Sequence, residues 1–167
     1  GPVGMSVASE HHHKVRGLIM GNTWYWPAKG FLFWMFSKGM GLSFMQKKVI
    51  KDNFFVEKLM PDSLQVELSK EAFDHYRHTT PAPQFRRGIA EAPRQITAAK
   101  RWLTMLETNV HRTLKDVPVL LIFGRKDPML GSKTVIERWK ANFADHTYFD
   151  LPDAGHFIQE DAPQEVA

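Results

Sequence analysis

Apolar residues follow two rhythms along this 167-residue chain: short unbroken runs, and stripes that repeat every three or four positions. Three runs read as strands. VRGLIMG (15–21) is a compact apolar segment closed by glycine, the pattern of a buried parallel strand. VPVLLIFG (117–124) is the strongest strand signal, and HTYFDL (146–151) is a shorter third. Helical patterns fill the intervals. Pro2 sits where a first-turn proline is tolerated, and residues 2–13 read as a helix with Val3, Val7 and Ala8 as its inward stripe. A long helical stretch runs from about 94 to 110. Ser132 begins another helix, with Val135, Trp139 and Phe143 four apart on one face, and a last one starts near Ile158.

From Pro27 to about Ile96 the pattern changes. Aromatic residues and methionines are dense, prolines punctuate at 61, 81, 83 and 93, and no strand-like run stands out, so this stretch reads as several short helices. The order is therefore helix–strand, a helical insert, helix–strand, helix–strand and a closing helix. Such alternation argues for a parallel α/β sheet interrupted by an α-helical excursion. The divisions fall at 1–26, 27–96 and 97–167.

Composition narrows the function classes. Apolar residues make up 43% of the chain and charged residues 24%, values of an ordinary globular protein. The absence of cysteine excludes disulfides, thiolate nucleophiles and thiolate metal sites, and fits a reducing compartment such as the cytoplasm. Net charge is +4, but the densest basic clusters, around Lys47-Lys48 and Arg86-Arg87, read as solvated surface. There is no basic stripe with interleaved aromatics of the kind nucleic acid needs. FLFWMF (31–36) lies in a region broken by Lys29, Lys38 and three glycines, too short for a bilayer span. His11, His12 and His13 are adjacent on a helix and point in different directions, so they do not ligate one metal ion.

In open parallel sheets, functional side chains gather beyond the carboxyl ends of strands. Asp127, in GRKDPML, follows the strongest strand, and His156, in PDAGH, follows the last one. Each residue alone has a structural explanation, the aspartate as a turn or cap and the histidine as a loop residue. About thirty residues apart on adjacent strand ends, they form a pair in which a carboxylate fixes the imidazole tautomer and stabilises the imidazolium.

Several segments carry a family resemblance. HFIQEDAP (156–163) resembles the histidine segment of haloalkane dehalogenases of the α/β-hydrolase superfamily, and VRGLIMGNTWYWP (15–27) is similar to their strand leading into the helical cap. NFFVEKLMP (53–61) and RRGIAEAPRQI (86–96) resemble cap segments. The resemblance implies the C-terminal half of an α/β-hydrolase fold, parallel strands with flanking helices, with the α-helical cap inserted over 27–96. It aligns Gly1-Pro2-Val3-Gly4-Met5 with the residues just after the nucleophilic aspartate and its tryptophan. In that register the nucleophile, the upstream strands and the oxyanion-hole loop precede Gly1. The chain is then expected to lack the N-terminal half of its fold, to be inactive alone and to fold poorly with unpaired apolar edges. GNTWYWPAK has no carboxylate before Asp52, so the layout resembles the branch with an Asp–His–Asp triad, Asp127 being the acid and His156 the base.

The implied activity is hydrolytic dehalogenation. An aspartate displaces halide from carbon to leave an alkyl-enzyme ester, and the histidine activates the water that hydrolyses it. The resemblance implies no metal and no organic cofactor. The implied partners are a small apolar halogenated substrate and the halide ion, with no nucleic acid and no membrane. Trp24, Trp26, Phe31 and Trp34 are the candidate substrate-binding residues, although packing beneath a cap accounts for the same aromatics. An epoxide hydrolase shares the nucleophile and cap but needs a tyrosine acid, for which Tyr25 and Tyr76 are candidates. A serine esterase and a non-catalytic hydrolase-like binding protein also remain open.

Overall fold

A computed structural model describes all residues 1–167. Its elements run α1 (Pro2–Glu10), β1 (Leu18–Gly21), α2 (Phe31–Met40), α3 (Ser43–Asp52), α4 (Met60–Ser63), α5 (Lys70–Thr79) and α6 (Arg87–Ala98). Next come α7 (Lys100–Leu114), β2 (Val119–Gly124), α8 (Lys133–Asn142), β3 (His146–Leu151), α9 (Ile158–Asp161) and α10 (Pro163–Val166). The chain divides into two compact units, Gly1–Pro27 with Arg101–Ala167, and Ala28–Lys100.

The first unit is built around β2, which pairs in parallel with β1 on one side and β3 on the other. Val119 lies opposite both Leu18 and His146, so the three strands start level; β2 and β3 also finish level, Gly124 opposite Leu151, while β1 stops earlier with Gly21 opposite Ile122. Successive strand side chains point to opposite faces, and β2 uses both. Val119, Leu121 and Phe123 enter a core with Met5 of α1, Leu103, Leu106, Val110 and Leu114 of α7, and Val135, Ile136 and Trp139 of α8. Ile122 packs instead with Leu151, Ala154 and Ile158, with Leu120, Ala162 and Val166 at the margin. Helices thus cover both faces of β2, which explains its unbroken apolar run. The buried α7 residues are three and four apart, the spacing of one helix face.

The second unit is helical. Met40, Val49 and Ala90, from α2, α3 and α6, form its core. Ser37 Oγ lies 2.8 Å from Thr97 Oγ1, and Gln46 Nε2 donates to the Met40 and Ala90 carbonyls at 2.7 and 2.6 Å. On α2 only Phe33, Ser37 and Met40 are buried, while Phe31, Leu32, Trp34 and Met35 are exposed.

Several details differ from the sequence reading. The first helix ends at Glu10, because His11 (φ −110°, ψ 30°) leaves the helical region and His12–Lys14 form a 3₁₀ turn. Its inward face is Met5 and Ser9, with the expected Ala8 half-buried against the same core. Val3 and Val7 are 72% and 55% exposed, because the face is set by Met5 in the core and by Ser9 Oγ, 3.0 Å from Thr113 Oγ1. β1 is shorter than 15–21 and is not buried. It pairs with β2 alone, and Ile19, 74% exposed, lies on an uncovered face. The helix expected over 94–110 is two helices parted at Ala99, and Pro93, expected as a break, lies inside α6. Phe143 is buried although it stands one residue past the end of α8 in extended backbone. Arg86 is not a solvated charge. It is buried and donates to the carbonyls of Ile50, Lys51, Thr80 and Pro81, tying the end of α3 to the loop before α6.

Trp139 is fully buried, donates from Nε1 to the Thr23 carbonyl at 2.8 Å, and meets Tyr25, Trp26 and Phe143 with ring centroids 5.0, 5.4 and 5.8 Å away. Truncating such a side chain costs about 3–5 kcal/mol. Trp139→Ala in the whole protein is therefore expected to lower the unfolding free energy by a comparable amount, measured by urea unfolding. A loss below about 1 kcal/mol contradicts this packing role.

Candidate active site

Because the strands are parallel and in register, their carboxyl ends deliver three loops to one place. After β2 the chain turns tightly. The Arg125 N–H donates to the Leu151 carbonyl at 2.9 Å, and the Lys126 N–H to that of Ala154 at 2.9 Å. Such proximity of the β2 and β3 loops leaves no room for a side chain at Gly124. A Cβ there would overlap the Gly155 carbonyl oxygen and sit 2.6 Å from that of Ala154. Asp127 comes three residues later, 4% exposed. Its Oδ1 accepts the Met129 and Leu130 N–H groups, each at 2.9 Å.

His156 stands on the loop after β3. Asp161, in the HFIQEDAP segment, folds back so that its Oδ2 accepts the Gly155 N–H at 2.7 Å, fixing the peptide just before the histidine. His156 Nδ1 meets Asp127 Oδ2 at 2.7 Å. The expected pair is therefore formed. Burial pushes the Asp127 carboxyl up, but the His156 hydrogen bond, the Leu130 N–H, the His156 charge and the Met129 N–H outweigh it. The carboxyl is held below the ordinary carboxylate range.

Sequence reasoning missed a third residue. Asn22 immediately follows β1, is 4% exposed, and adopts φ +34°, a left-handed conformation that asparagine tolerates better than most residues. Its Nδ2 lies 3.1 Å from Asp127 Oδ2, 3.2 Å from the Gly124 carbonyl and 3.0 Å from the Gly155 carbonyl, while its Oδ1 accepts the Gly124 N–H at 2.7 Å. The one signal for it in the sequence is position, a polar residue directly at a strand's carboxyl end.

The half-exposed His156 ring faces a cavity of about 600 Å³, of a size suited to a small ligand. Met20, Trp24, Leu130, Phe157 and Gln159 are among its other walls, with Gly1 and Gly4. With Nδ1 engaged by Asp127, Nε2 is the ring nitrogen left to the cavity. No aspartate, glutamate, serine or cysteine lines it.

The substrate-binding candidates separate. Trp24 lines the cavity. Trp26 is 5% exposed, edge-on to Tyr25 and Trp139 in the core, with the Arg138 guanidinium 4.6 Å over its ring. Phe31 and Trp34 belong to the second unit, where they are exposed and stacked on each other at 6.1 Å. No helix in the structure is long and apolar enough to cross a membrane.

Comparison with known proteins agrees with this architecture. The α/β-hydrolase fold family matches residues 1–163. Haloalkane dehalogenase 2 of Mycobacterium tuberculosis is 44% identical over 167 residues, covering 100% of this chain and 58% of the relative. The chain thus spans a little under three fifths of that curated relative. The crystal structure of an ancestral haloalkane dehalogenase superposes with a TM-score of 0.79 at 26% identity, over 98% of this chain and 61% of the other. A haloalkane dehalogenase loop variant from Bradyrhizobium elkanii matches with a TM-score of 0.82 at 20% identity, over 99% and 60%, and shows the shared fold. A parallel sheet flanked by helices, carrying an acid and a histidine on successive strand ends, places this chain in the α/β-hydrolase fold family.

Proposed function

We propose that this chain carries the acid and the base of a haloalkane dehalogenase that works through a covalent alkyl-enzyme ester. The observation that carries the reading is the 2.7 Å contact between Asp127 and His156 beside a cavity of about 600 Å³, in a chain 44% identical to a protein named as such an enzyme. A nucleophilic carboxylate attacks the carbon bearing the halogen. The C–O bond forms as the carbon–halogen bond breaks, and halide leaves with the bonding pair. His156 Nε2 then takes a proton from water, and the hydroxide attacks the ester carbonyl. The alcohol departs and the carboxylate is restored. Asp127 keeps the proton of neutral His156 on Nδ1 and balances the imidazolium that forms.

None of the residues lining the cavity is a carboxylate. In this proposal the nucleophile comes from sequence before Gly1, as the resemblance implies, and the 167 residues alone do not turn over substrate. Trp24 is proposed as a substrate contact, and Ala28–Lys100 as the helical cap, whose exposed Phe31–Trp34 stack is apolar surface available to a halogenated substrate. No cofactor enters these steps. The absence of cysteine fits work in the cytoplasm. For epoxide hydrolysis, Tyr25 is a poor acid: it is 1% exposed in the aromatic core, and burial pushes its hydroxyl far up.

The whole protein is expected to release halide from short haloalkanes, followed by halide titration. Epoxide turnover without halide release would sink the reading. In the same protein His156→Phe should release about one halide per enzyme and stall as the alkyl ester, visible by mass spectrometry, because only the second step needs the base; sustained turnover excludes His156 from that role. Asp127→Ala should cut turnover by about 10²–10⁴-fold. Acid sensitivity arises from the depressed Asp127 carboxyl. Its contribution is present above the unfolded value near pH 3.9 and is lost as pH falls through the lower folded value. Wild type should therefore lose more Tm than Asp127→Asn between about pH 5 and pH 2, and parallel melting curves would contradict this.

A further inference from the structure

Outside the acid–base pair, one buried side chain directs four hydrogen bonds at the site. We propose that Asn22 is a positioning residue for Asp127 and His156: its amide clasps the carboxylate and the loops after β2 and β3, and so holds Asp127 Oδ2 in front of His156 Nδ1. The catalytic consequence rests on the hydrolase reading above, whereas the clasp itself is a property of this chain.

The chemistry explains why the residue is an asparagine. Two amide hydrogens are shared among three acceptors at 3.0, 3.1 and 3.2 Å, and the amide oxygen takes the Gly124 N–H. Only a neutral amide offers donors and an acceptor side by side. An aspartate would turn oxygens toward two carbonyls and a carboxylate. An apolar residue would leave the Gly124 N–H and several acceptors unpaired at a position only 4% exposed, each a costly loss. The clasp also completes the Asp127 anion. Oδ1 has the Met129 and Leu130 N–H groups, and Oδ2 has Asn22 and His156, so all four lone-pair directions are occupied.

Asn22 reaches the histidine by a second route. Its bond to the Gly155 carbonyl, with the Asp161 bond to the Gly155 N–H, grips that residue through both of its backbone polar groups immediately before His156. Loss of the amide therefore frees the acid in its rotamer and the base in its loop together. The φ of +34° at Asn22 turns the side chain inward at the end of β1, local strain that the four hydrogen bonds hold in place.

Nuclear magnetic resonance on the labelled whole protein tests this without an activity assay. In the wild type, the Asn22 side-chain amide protons should exchange slowly, and His156 should show a downfield Nδ1–H resonance with neutral imidazole in the Nδ1–H tautomer. Freely exchanging Asn22 amide protons in the wild type overturn the proposal, and no variant need fold for that measurement. Asn22→Gly keeps the left-handed backbone without the amide, and should lose the downfield resonance and mix the tautomers; unchanged His156 signals in the folded variant count equally against it. Asn22→Asp sets a second carboxylate against Asp127, so its raised folded pKa should make Tm fall as pH rises from about 5 to 8. A wild-type slope there rejects the clasp. In the whole protein, Asn22→Gly should lower kcat on the order of 10²-fold with little change in KM. If that protein releases no halide at all while the resonance results hold, the dehalogenase reading fails and the clasp stands.

Discussion

A carboxylate almost wholly removed from water keeps its charge only if the protein supplies the donors that water did. Asp127 meets that condition with four, and no single segment could provide them. Two come from its own turn, one from the loop after β3 and one from the residue after β1. The ion is therefore satisfied only when the three parallel strands are in register and their loops touch. Much of the rest depends on this constraint: the parallel register, the close approach that forbids a side chain at Gly124, and the inward turn of Asn22.

β2 makes that arrangement rigid. Its alternate side chains enter two separate cores, so the strand is gripped from both faces. The acid mounted three residues beyond its end has the Asn22 amide as a further hold. The histidine is less firmly held, since it stands on a loop beside the open strand β3. The Gly155 peptide, bonded through both its N–H and its carbonyl, compensates for that looser mounting. One ring nitrogen is thus used for placement, and the other stays free for chemistry at the cavity.

Helices on both sides of β2, together with the matching family, account for the strong alternation of strand and helix patterns in the sequence. The aromatic residues at 24–26 show how little composition says about use. Trp24 lines the cavity, while its near neighbours Tyr25 and Trp26 pack against Trp139 and Phe143 in the core. Type and spacing are alike for the three, and only the direction in which each leaves the chain separates them.

The three strands, the helical stretch between the first two and the positions of Asp127 and His156 were legible in the chain because they depend on local signals: unbroken apolar runs, helical spacing, and polar residues beyond strand ends. Element limits were less so. The face of α1, the break at Ala99 and the exposure of Ile19 answer to what packs against each segment, which no local pattern contains. Arg86 looked like a surface charge, since two of the four carbonyls that satisfy it, those of Ile50 and Lys51, lie 36 and 35 residues away in sequence. The same holds for Asn22, an ordinary polar residue until the fold brings Gly124, Asp127 and Gly155 within 3.2 Å of its amide. By itself the sequence determined which segments form strands and helices and which two residues could act as acid and base. Only the tertiary structure decided what holds that pair together, because the Asn22 hydrogen bonds that do so join residues more than a hundred positions apart.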